Sequence, residues 1–385
     1  MKQKGKLFLK KFVSCFLVGL CFFSRAIVGF AEEIPGLEIL APRGILMEEK
    51  TGKVLFEKNP DERCSIASVT KIMTLLLTAE AIDSGRISFD DLVSCSPEAS
   101  SMGGSQIWLK EGEKMTVQEL LRAVCISSAN DASYALAEHV KGSHKAFVNA
   151  MNERAKELGM ENTHFKNCTG LDEEGQFSSA RDVAIMSREL LKHDFILDYT
   201  TIWMDSLRGG ETQLVNTNRL IKTYKGAIGL KTGTTDKAGK CLSAIARRDG
   251  LSLISVTLGD KTSKDRFNSA RELLDFGFSE YFFYEPKEID DQIFPVKVSL
   301  GTRDYANVFA KYPTGLVCRL KDKEKISQRV ILEEKVLAPI TRGQSLGRCE
   351  IVCDDEVIGE YPICSSMDIE KLTIGKAFLR LLSAF

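Results

Sequence analysis

The stretch "CSIASVTKIMTLLL" (residues 64–77) opens an apolar run that continues to residue 82, with apolar side chains nearly all round a helical projection. A helix of this kind has to be buried, so the pattern predicts a core helix over residues 69–82. Ser68 and Lys71 stand at its first turn, three positions apart and on one face. They are either a serine nucleophile with a lysine base or ordinary polar residues at a helix start.

The first 31 residues have the pattern of a secretory signal. Five lysines precede the apolar segment "FVSCFLVGLCFF", and Gly29-Phe30-Ala31 supplies the small residues for cleavage after Ala31. The apolar segment is shorter than the ~20 residues that a transmembrane helix needs. Removing residues 1–31 takes away six basic residues and no acids, so the formal net charge falls from −1 to −7. This charge argues against nucleic-acid binding.

The remaining 354 residues exceed the usual size of one domain, so two domains are expected. Nine cysteines remain, an odd number that leaves at least one thiol unpaired even in an oxidising compartment. The chain has four histidines and neither a C-x-x-C nor an H-E-x-x-H motif, so we expect no metal and no cofactor. A serine nucleophile in this chain would therefore need a base other than histidine.

Hydrophobic periodicity predicts a coarse order of elements. Residues 44–58 alternate and turn at Lys50-Thr51-Gly52, which predicts a β-hairpin. Residues 100–195 are mostly helical in pattern. A further helix is predicted from about Asn268 to Phe283. Between these helical regions lie three strand-like stretches, "GAIGLKTGTT", "CLSAIARR" and "LSLISVTLG".

The last hundred residues have a different pattern. A polar linker at 284–292 precedes short strands with turn signals, which predict a small β-rich domain over residues 293–364. Residues 366–385 have the spacing of an amphipathic helix, which either docks on its own domain or lies in a membrane interface. Its apolar face is formed by Ile374, Phe378, Leu381, Leu382 and Phe385.

A lysine acts as a base only if its pKa is depressed, and both burial and a second nearby cation depress it. "IGLKTGTT" offers that cation, because strand alternation puts Lys231 and Gly233 of Lys231-Thr232-Gly233 on one face. Gly233 would also let a bound backbone come close. In "ISSANDAS", Ser128 and Asn130 fall in a break between helices, where they are candidate site residues or simple helix caps.

The order S-x-x-K, S-x-N, K-T-G is the motif set of serine β-lactamases and penicillin-binding proteins. Together with "WLKEGEKMTVQELL", "GLDEEGQFSSARDVA" and "NTNRLI", it makes the chain resemble the low-molecular-mass penicillin-binding proteins. These are serine D-alanyl-D-alanine carboxypeptidases of bacterial cell-wall metabolism. The resemblance implies an α/β catalytic domain over residues 32–284, with an antiparallel sheet packed by helices beside a helical lobe. A small β-sandwich domain and a C-terminal amphipathic helix would follow.

The resemblance also implies catalytic roles. Ser68 would attack the carbonyl of the penultimate D-alanine, Lys71 would take the serine proton, and Lys231 would keep the pKa of Lys71 low. Ser128 would relay a proton to the departing amine, and Asn130 would hold the substrate amide. Water would then release the acyl-enzyme.

The remaining contacts follow from the same resemblance. The backbone N–H groups of Ser68 and Thr234 would form the oxyanion hole. Thr232 and Arg266 would bind the terminal carboxylate of the substrate. Thr217 in "NTN" stands where some members have arginine, which leaves more of this contact to Arg266.

Three other functions share parts of this pattern. A β-lactamase has the same motifs but usually lacks the C-terminal β domain, and no convincing E-x-x-L-N segment occurs near residues 170–190. A D,D-endopeptidase would differ only on the acyl-acceptor side, whereas a non-catalytic wall-binding scaffold fits the intact motif set poorly.

The expected partners are peptidoglycan stem peptides ending in D-Ala-D-Ala, β-lactam antibiotics as inhibitors, and a membrane surface through the C-terminal helix. The expected location is the periplasm or the outer face of the cytoplasmic membrane.

Overall fold

The structure is a computed structural model that describes residues 37–382. The predicted secretory signal, residues 1–31, lies outside the described residues. The α-helices of the described part are α1 (Lys71–Asp83), α2 (Pro97–Ser100), α3 (Val117–Arg122), α4 (Asn130–Lys141), α5 (His144–Glu157), α6 (Ala180–Leu190), α7 (Leu197–Thr200), α8 (Leu220–Thr223), α9 (Ser263–Glu280) and α10 (Ile374–Leu382).

The strands confirm the predicted hairpin within residues 44–58 and the three predicted strands that carry and follow the K-T-G motif. The strands are β1 (Arg43–Glu48), β2 (Val54–Lys58), β3 (Leu92–Ser94), β4 (Lys114–Thr116), β5 (Met204–Leu207), β6 (Thr212–Val215), β7 (Ala227–Thr235), β8 (Gly239–Arg248), β9 (Leu251–Asp260), β10 (Tyr281–Tyr284), β11 (Val296–Ser299), β12 (Tyr305–Ala306), β13 (Val308–Ala310), β14 (Leu316–Arg319), β15 (Ile326–Leu332), β16 (Lys335–Leu337), β17 (Ser345–Cys353) and β18 (Glu356–Ser365).

A five-stranded antiparallel sheet, in the order β2-β1-β9-β8-β7, separates two apolar layers. Ile45 and Val256 belong to one cluster with the buried faces of α1, α4 and α6. The neighbouring residue Leu46 belongs to another, with Leu273 and Leu274 of α9. This alternation is what a sheet covered by helices on both faces requires. Strand β7 is left at the edge of the sheet.

The predicted core helix is confirmed. A 3₁₀ turn, Ala67–Thr70, leads into α1, and ten of the thirteen residues of α1 are buried, Lys71 among them. Helices α4, α5 and α6 all contact α1. Because α1 is covered on every side, its position fixes those of its neighbours.

Both predicted limits of the helix that follows the three strands are wrong. The helix predicted from about Asn268 to Phe283 begins at Ser263 and ends at Glu280. It starts earlier because Thr262 and Asp265 form a reciprocal capping box. It ends earlier because the aromatic stretch Tyr281–Tyr284 pairs as β10 with β14.

The region from 100 to 195 is also less helical than expected. Residues 101–113 are irregular and residues 158–179 contain only turns and isolated bridges. Glycines at positive φ interrupt both segments, for example Gly104 and Gly175.

The predicted β-rich part is present. A four-stranded sheet, β13-β18-β17-β15, and a three-stranded sheet, β12-β11-β16, carry their own apolar clusters. The segment expected to be a polar linker, 284–292, is partly packed. Ile289 is 1% exposed, and its N–H donates to the hydroxyl of Tyr312 at 2.8 Å.

The C-terminal helix is shorter than the predicted 366–385. Within the described residues α10 starts at Ile374. Residues 366–372 instead bond to the β-rich part, since Ser366 N–H donates to Asn307 O at 2.8 Å and Leu372 N–H donates to Leu300 O at 2.7 Å. Within residues 37–382, none of the helices has both the length and the apolar character needed to cross a bilayer.

Candidate active site

Ser68 lies in the 3₁₀ turn that leads into α1. Ala67 before it has a φ of 48°, a left-handed conformation that is strained for a residue with a Cβ. Ala67 and Val69 are 2% and 0% exposed, whereas Ser68 is half-buried. The turn therefore presents a single hydroxyl at the end of a buried helix.

Lys71 is fully buried, and its Nζ has three oxygen neighbours. Ser68 Oγ lies at 2.9 Å, Asn130 Oδ1 at 2.6 Å and the carbonyl oxygen of Thr169 at 2.6 Å. A neutral amine has two N–H donors and one lone pair. If the donors serve the amide and carbonyl oxygens, which only accept, the lone pair is left for the Ser68 hydroxyl.

The electrostatic environment favours neutral Lys71. Burial lowers the pKa of Lys71 well below its ordinary value, and the charge of Lys231 lowers it further. Burial likewise lowers the pKa of Lys231, to about 7, and Arg266 acts in the same direction. Lys231 is 1% exposed and its Nζ donates to the Thr232 carbonyl at 3.0 Å.

The second motif follows a π-helical turn, Ala123–Ser127, that ends helix α3. Ser128 has a φ of 65° and is 4% exposed, and α4 begins two residues later at Asn130. The Nδ2 of Asn130 donates to the Gly103 carbonyl at 2.6 Å while its Oδ1 contacts Lys71. Asn130 is thus anchored between Lys71 and Gly103, two residues after Ser128.

Edge strand β7 carries the third motif directly against the nucleophile turn. A Cβ at Gly233 would lie 2.6 Å from the carbonyl oxygen of Ile66 and 3.1 Å from the Cβ of Ala67. Only glycine permits that approach. Thr234, the next residue, is exposed.

The candidate carboxylate residues make internal hydrogen bonds. Thr232 is 5% exposed, and its hydroxyl donates to Thr217 Oγ1 at 2.7 Å. Arg266, in the first turn of α9, is 6% exposed. Its Nη1 donates to the carbonyls of Gly233 at 3.1 Å and Cys241 at 3.4 Å, and to Thr234 Oγ1 at 3.3 Å. The guanidinium therefore lies under strands β7 and β8 and is not a surface group.

Sequence reasoning missed the segment 167–170. The Thr169 carbonyl binds Lys71, and Gly170, at a φ of +84°, packs on the nucleophile turn. A Cβ on Gly170 would lie 2.0 Å from the carbonyl oxygen of Ala67. A contact made by a backbone carbonyl cannot be read from side-chain identity. The glycine in "CTGLD" was the sequence feature that could have indicated a close backbone contact at this segment.

In residues 37–382 all nine cysteines are free thiols. Cys125 and Cys241, close in sequence to the second and third motifs, are buried, and burial raises the pKa of each to about 12. Burial also raises the pKa of Cys64 to about 11. These thiols are protonated at neutral pH and are poor nucleophiles.

Comparison with known proteins identifies the family. The family model described as D-alanyl-D-alanine carboxypeptidase, peptidase S11, matches residues 29–262. The chain belongs to the peptidase S11 family. A second model, the C-terminal domain of penicillin-binding protein 5, matches residues 284–371.

Individual relatives cover nearly the whole chain. The D-alanyl-D-alanine carboxypeptidase DacF of Bacillus subtilis is 41% identical over 371 residues, which cover 94% of this chain and 95% of the relative. Penicillin-binding protein 5 from Haemophilus influenzae is a structural neighbour with a TM-score of 0.77 at 28% identity, covering 87% of this chain and 98% of that one. The ampicillin-bound penicillin-binding protein D2 from Listeria monocytogenes is 32% identical with a TM-score of 0.58, covering 63% and 100%.

Family membership decides among the functions that the sequence left open. The protein is a serine-type D-alanyl-D-alanine carboxypeptidase with the fold of the low-molecular-mass penicillin-binding proteins. The predicted fold class, with its catalytic α/β part and following β-rich part, is confirmed.

Gly170→Ala tests the packing of segment 167–170. We expect it to lower acylation by penicillin about 100-fold, because the added Cβ displaces the turn that carries Ser68. The matched control is Gly85→Ala. Gly85 also has positive φ, at +69°, but nothing lies within 4 Å of an added Cβ. The control should lose some thermal stability and keep its acylation rate; equal acylation rates in the two variants would contradict this account.

Proposed function

We propose that Ser68 is the nucleophile that removes the terminal D-alanine from peptidoglycan stem pentapeptides. Ser68 Oγ attacks the carbonyl carbon of the penultimate D-alanine and its proton passes to Nζ of Lys71. The contact that carries the proposal is the 2.9 Å distance between Ser68 Oγ and the Nζ of a completely buried lysine.

The peptide C–N bond then breaks and leaves an ester on Ser68. The departing D-alanine amine takes a proton through the hydroxyl of Ser128, which lies two residues before Asn130 at the start of α4. Burial and, after it, the charge of Lys231 hold the pKa of Lys71 low. Water hydrolyses the ester, and Ser68 regains its proton.

Substrate binding is assigned to strand β7 and its neighbours. The N–H groups of Ser68 and Thr234 stabilise the developing oxyanion. Asn130 holds the substrate amide. Thr232 binds the terminal carboxylate, and Arg266 adds positive charge through the Thr234 hydroxyl that it contacts. The close approach at Gly233 keeps this strand beside the nucleophile.

A β-lactam ring contains the same kind of amide next to a carboxylate, so it should acylate Ser68 and remain bound as an ester. The ampicillin-bound form of the Listeria neighbour supports this assignment.

The processed chain acts outside the cytoplasmic membrane. On this proposal residues 1–31 are removed as a secretory signal, residues 32–284 form the catalytic domain and residues 293–364 the β-rich domain. The predicted 366–385 segment holds the protein on the outer face of the membrane through α10. Ile374 and Phe378, four positions apart on one helical face, are 91% and 62% exposed, which supports an interfacial position.

The nucleophile is tested with labelled penicillin and a soluble stem pentapeptide. Wild type should gain an ester on the peptide containing Ser68 and should release one alanine per pentapeptide, both read by mass spectrometry. Ser68→Ala should lose both activities, whereas Ser65→Ala, three positions away, should keep them. Labelling that persists in Ser68→Ala would refute the assignment. Cleavage of cross-linked dimers with the pentapeptide left intact would show an endopeptidase.

The base is tested by the pH profile of acylation. Because burial and Lys231 lower the pKa of Lys71, its neutral, proton-accepting form exists at lower pH than for a free lysine. The rate should rise with pH through an apparent pKa well below the ~10.4 of an unperturbed lysine. Lys71→Arg should abolish acylation, since arginine stays protonated. A rate that stays flat up to pH 10 would contradict the role of Lys71.

The anchor is tested by ending the chain before Thr373. This position spares residues 366–372, which bond to the β-rich part. The truncated protein should leave the membrane fraction and keep penicillin binding, because α10 is outside the catalytic part. The double variant Ile374→Ser, Phe378→Ser should also leave the membrane fraction. The control Leu337→Ser, which changes a 67% exposed residue outside α10, should stay in it. Unchanged membrane association of the truncated form would show that α10 does not anchor the protein.

A further inference from the structure

The three-stranded sheet of the β-rich part, β12-β11-β16, has one buried face and one exposed face. Val296 and Val298 of β11 are 3% and 6% exposed and belong to an apolar cluster. Lys297 stands between them, so strand alternation points its side chain away from that cluster, and the residue is exposed. The β-rich part therefore presents one face of this sheet to solvent.

The exposed face combines charged and apolar side chains. Lys297 is paired in register with Lys335 of β16 on one side and with Tyr305 of β12 on the other. Leu337 follows Lys335 on the same face of β16. Tyr305 and Leu337 are 56% and 67% exposed. We term these four residues the outer face.

The two lysines of the outer face repel each other. Neighbouring strands lie about 4.8 Å apart, and like charges directly opposite one another destabilise a sheet. Within residues 37–382, neither Lys297 nor Lys335 forms an ion pair. The acidic residues Asp304 and Glu334 stand immediately before β12 and β16, outside the paired positions. An anion bound at this face would offset the repulsion, so the outer face favours an anionic ligand.

The outer face lies beside the segment that leads into α10. The N–H of Leu372 donates to the Leu300 carbonyl at 2.7 Å, and Lys371 forms an isolated bridge with Gly301. Leu300 directly follows β11 and is 61% exposed. Helix α10 begins two residues after Leu372. The outer face and the exposed apolar side of α10 therefore adjoin the same short segment.

We propose that the outer face is a second membrane-contact surface, which binds anionic phospholipid headgroups through Lys297 and Lys335. The inference rests on the proposed function, in which α10 lies in the membrane interface. The ammonium groups reach the lipid phosphates, while the lysine methylene groups and the Tyr305 ring lie at the headgroup level. A second contact next to α10 fixes how the β-rich part stands on the membrane.

The test measures the affinity of the processed full-length chain for two kinds of vesicle. One contains phosphatidylglycerol and phosphatidylcholine in equal parts, and the other contains phosphatidylcholine alone. The double variant Lys297→Gln, Lys335→Gln removes both charges, whereas Lys297→Arg, Lys335→Arg keeps them. The matched control is Lys145→Gln, Lys156→Gln, which removes two exposed lysines from α5 in the catalytic part.

The glutamine pair should weaken binding to anionic vesicles about 30-fold, about five-fold for each lysine, and should match wild type on neutral vesicles. The loss should shrink as the salt concentration rises, because salt screens surface charges. The arginine pair and the α5 control should match wild type on both vesicles. Since α10 remains in place, a single change on the outer face such as Leu337→Ser lowers affinity without releasing the protein from the membrane fraction.

The inference is overturned if the glutamine pair binds anionic vesicles as tightly as wild type, if its loss is the same on both vesicles, or if the arginine pair or the α5 control loses as much. Lys335→Gln alone, with an expected loss of about five-fold, replaces the pair if thermal melting shows that the pair is unfolded. A chain ending before Thr373 that binds neutral vesicles as tightly as the full-length chain would instead refute α10 as the anchor. A full-length chain that binds neither vesicle would refute both.

Discussion

The burial of Lys71 is the constraint on which the rest of this structure depends. An isolated ammonium group inside a protein is very unfavourable, so a buried lysine has to be neutral or surrounded by acceptors. Here the oxygen partners of Lys71 come from three separate places: the turn before α1, the start of α4 and segment 167–170. All three must be packed around α1 for the lysine to be satisfied. The covering of α1 and the contact between Lys71 and Ser68 are therefore consequences of one arrangement.

That arrangement needs close backbone contacts at the nucleophile turn. Gly170 approaches the Ala67 carbonyl and Gly233 approaches the Ile66 carbonyl, each closer than a Cβ would allow. Contacts this short hold the strained φ of Ala67 from outside, since the turn itself has no reason to adopt it. The two glycines thus help to shape the proposed catalytic site even though they have no reactive group.

The parts of the site that could be predicted are those whose interacting residues are only a few positions apart in the sequence. The serine and lysine of S-x-x-K share one turn, and the lysine and glycine of K-T-G share one strand. The contacts of Arg266 could not be predicted, because its partners Gly233 and Cys241 lie 33 and 25 positions away. The same distinction applies to the fold. The all-round apolar pattern predicts α1. The pairing of residues 366–372 with the β-rich part depends on residues distant in sequence, so the later start of the C-terminal helix could not be predicted.

The buried thiols complete the electrostatic argument. Cys125 and Cys241 lie near Lys231 and Arg266, and burial raises the pKa of each to about 12. They therefore remain uncharged and pack as small apolar residues. An acidic side chain in either place would oppose the lowering of the Lys71 pKa that burial causes and the charge of Lys231 increases. The carboxylate that does act on Lys71, Asp131, accepts hydrogen bonds from the N–H groups of Ile107 and Leu109, which disperse its charge. Burial first, and the charge of Lys231 second, thus keep the pKa of Lys71 low, and a lysine with a low pKa can accept the proton of a serine.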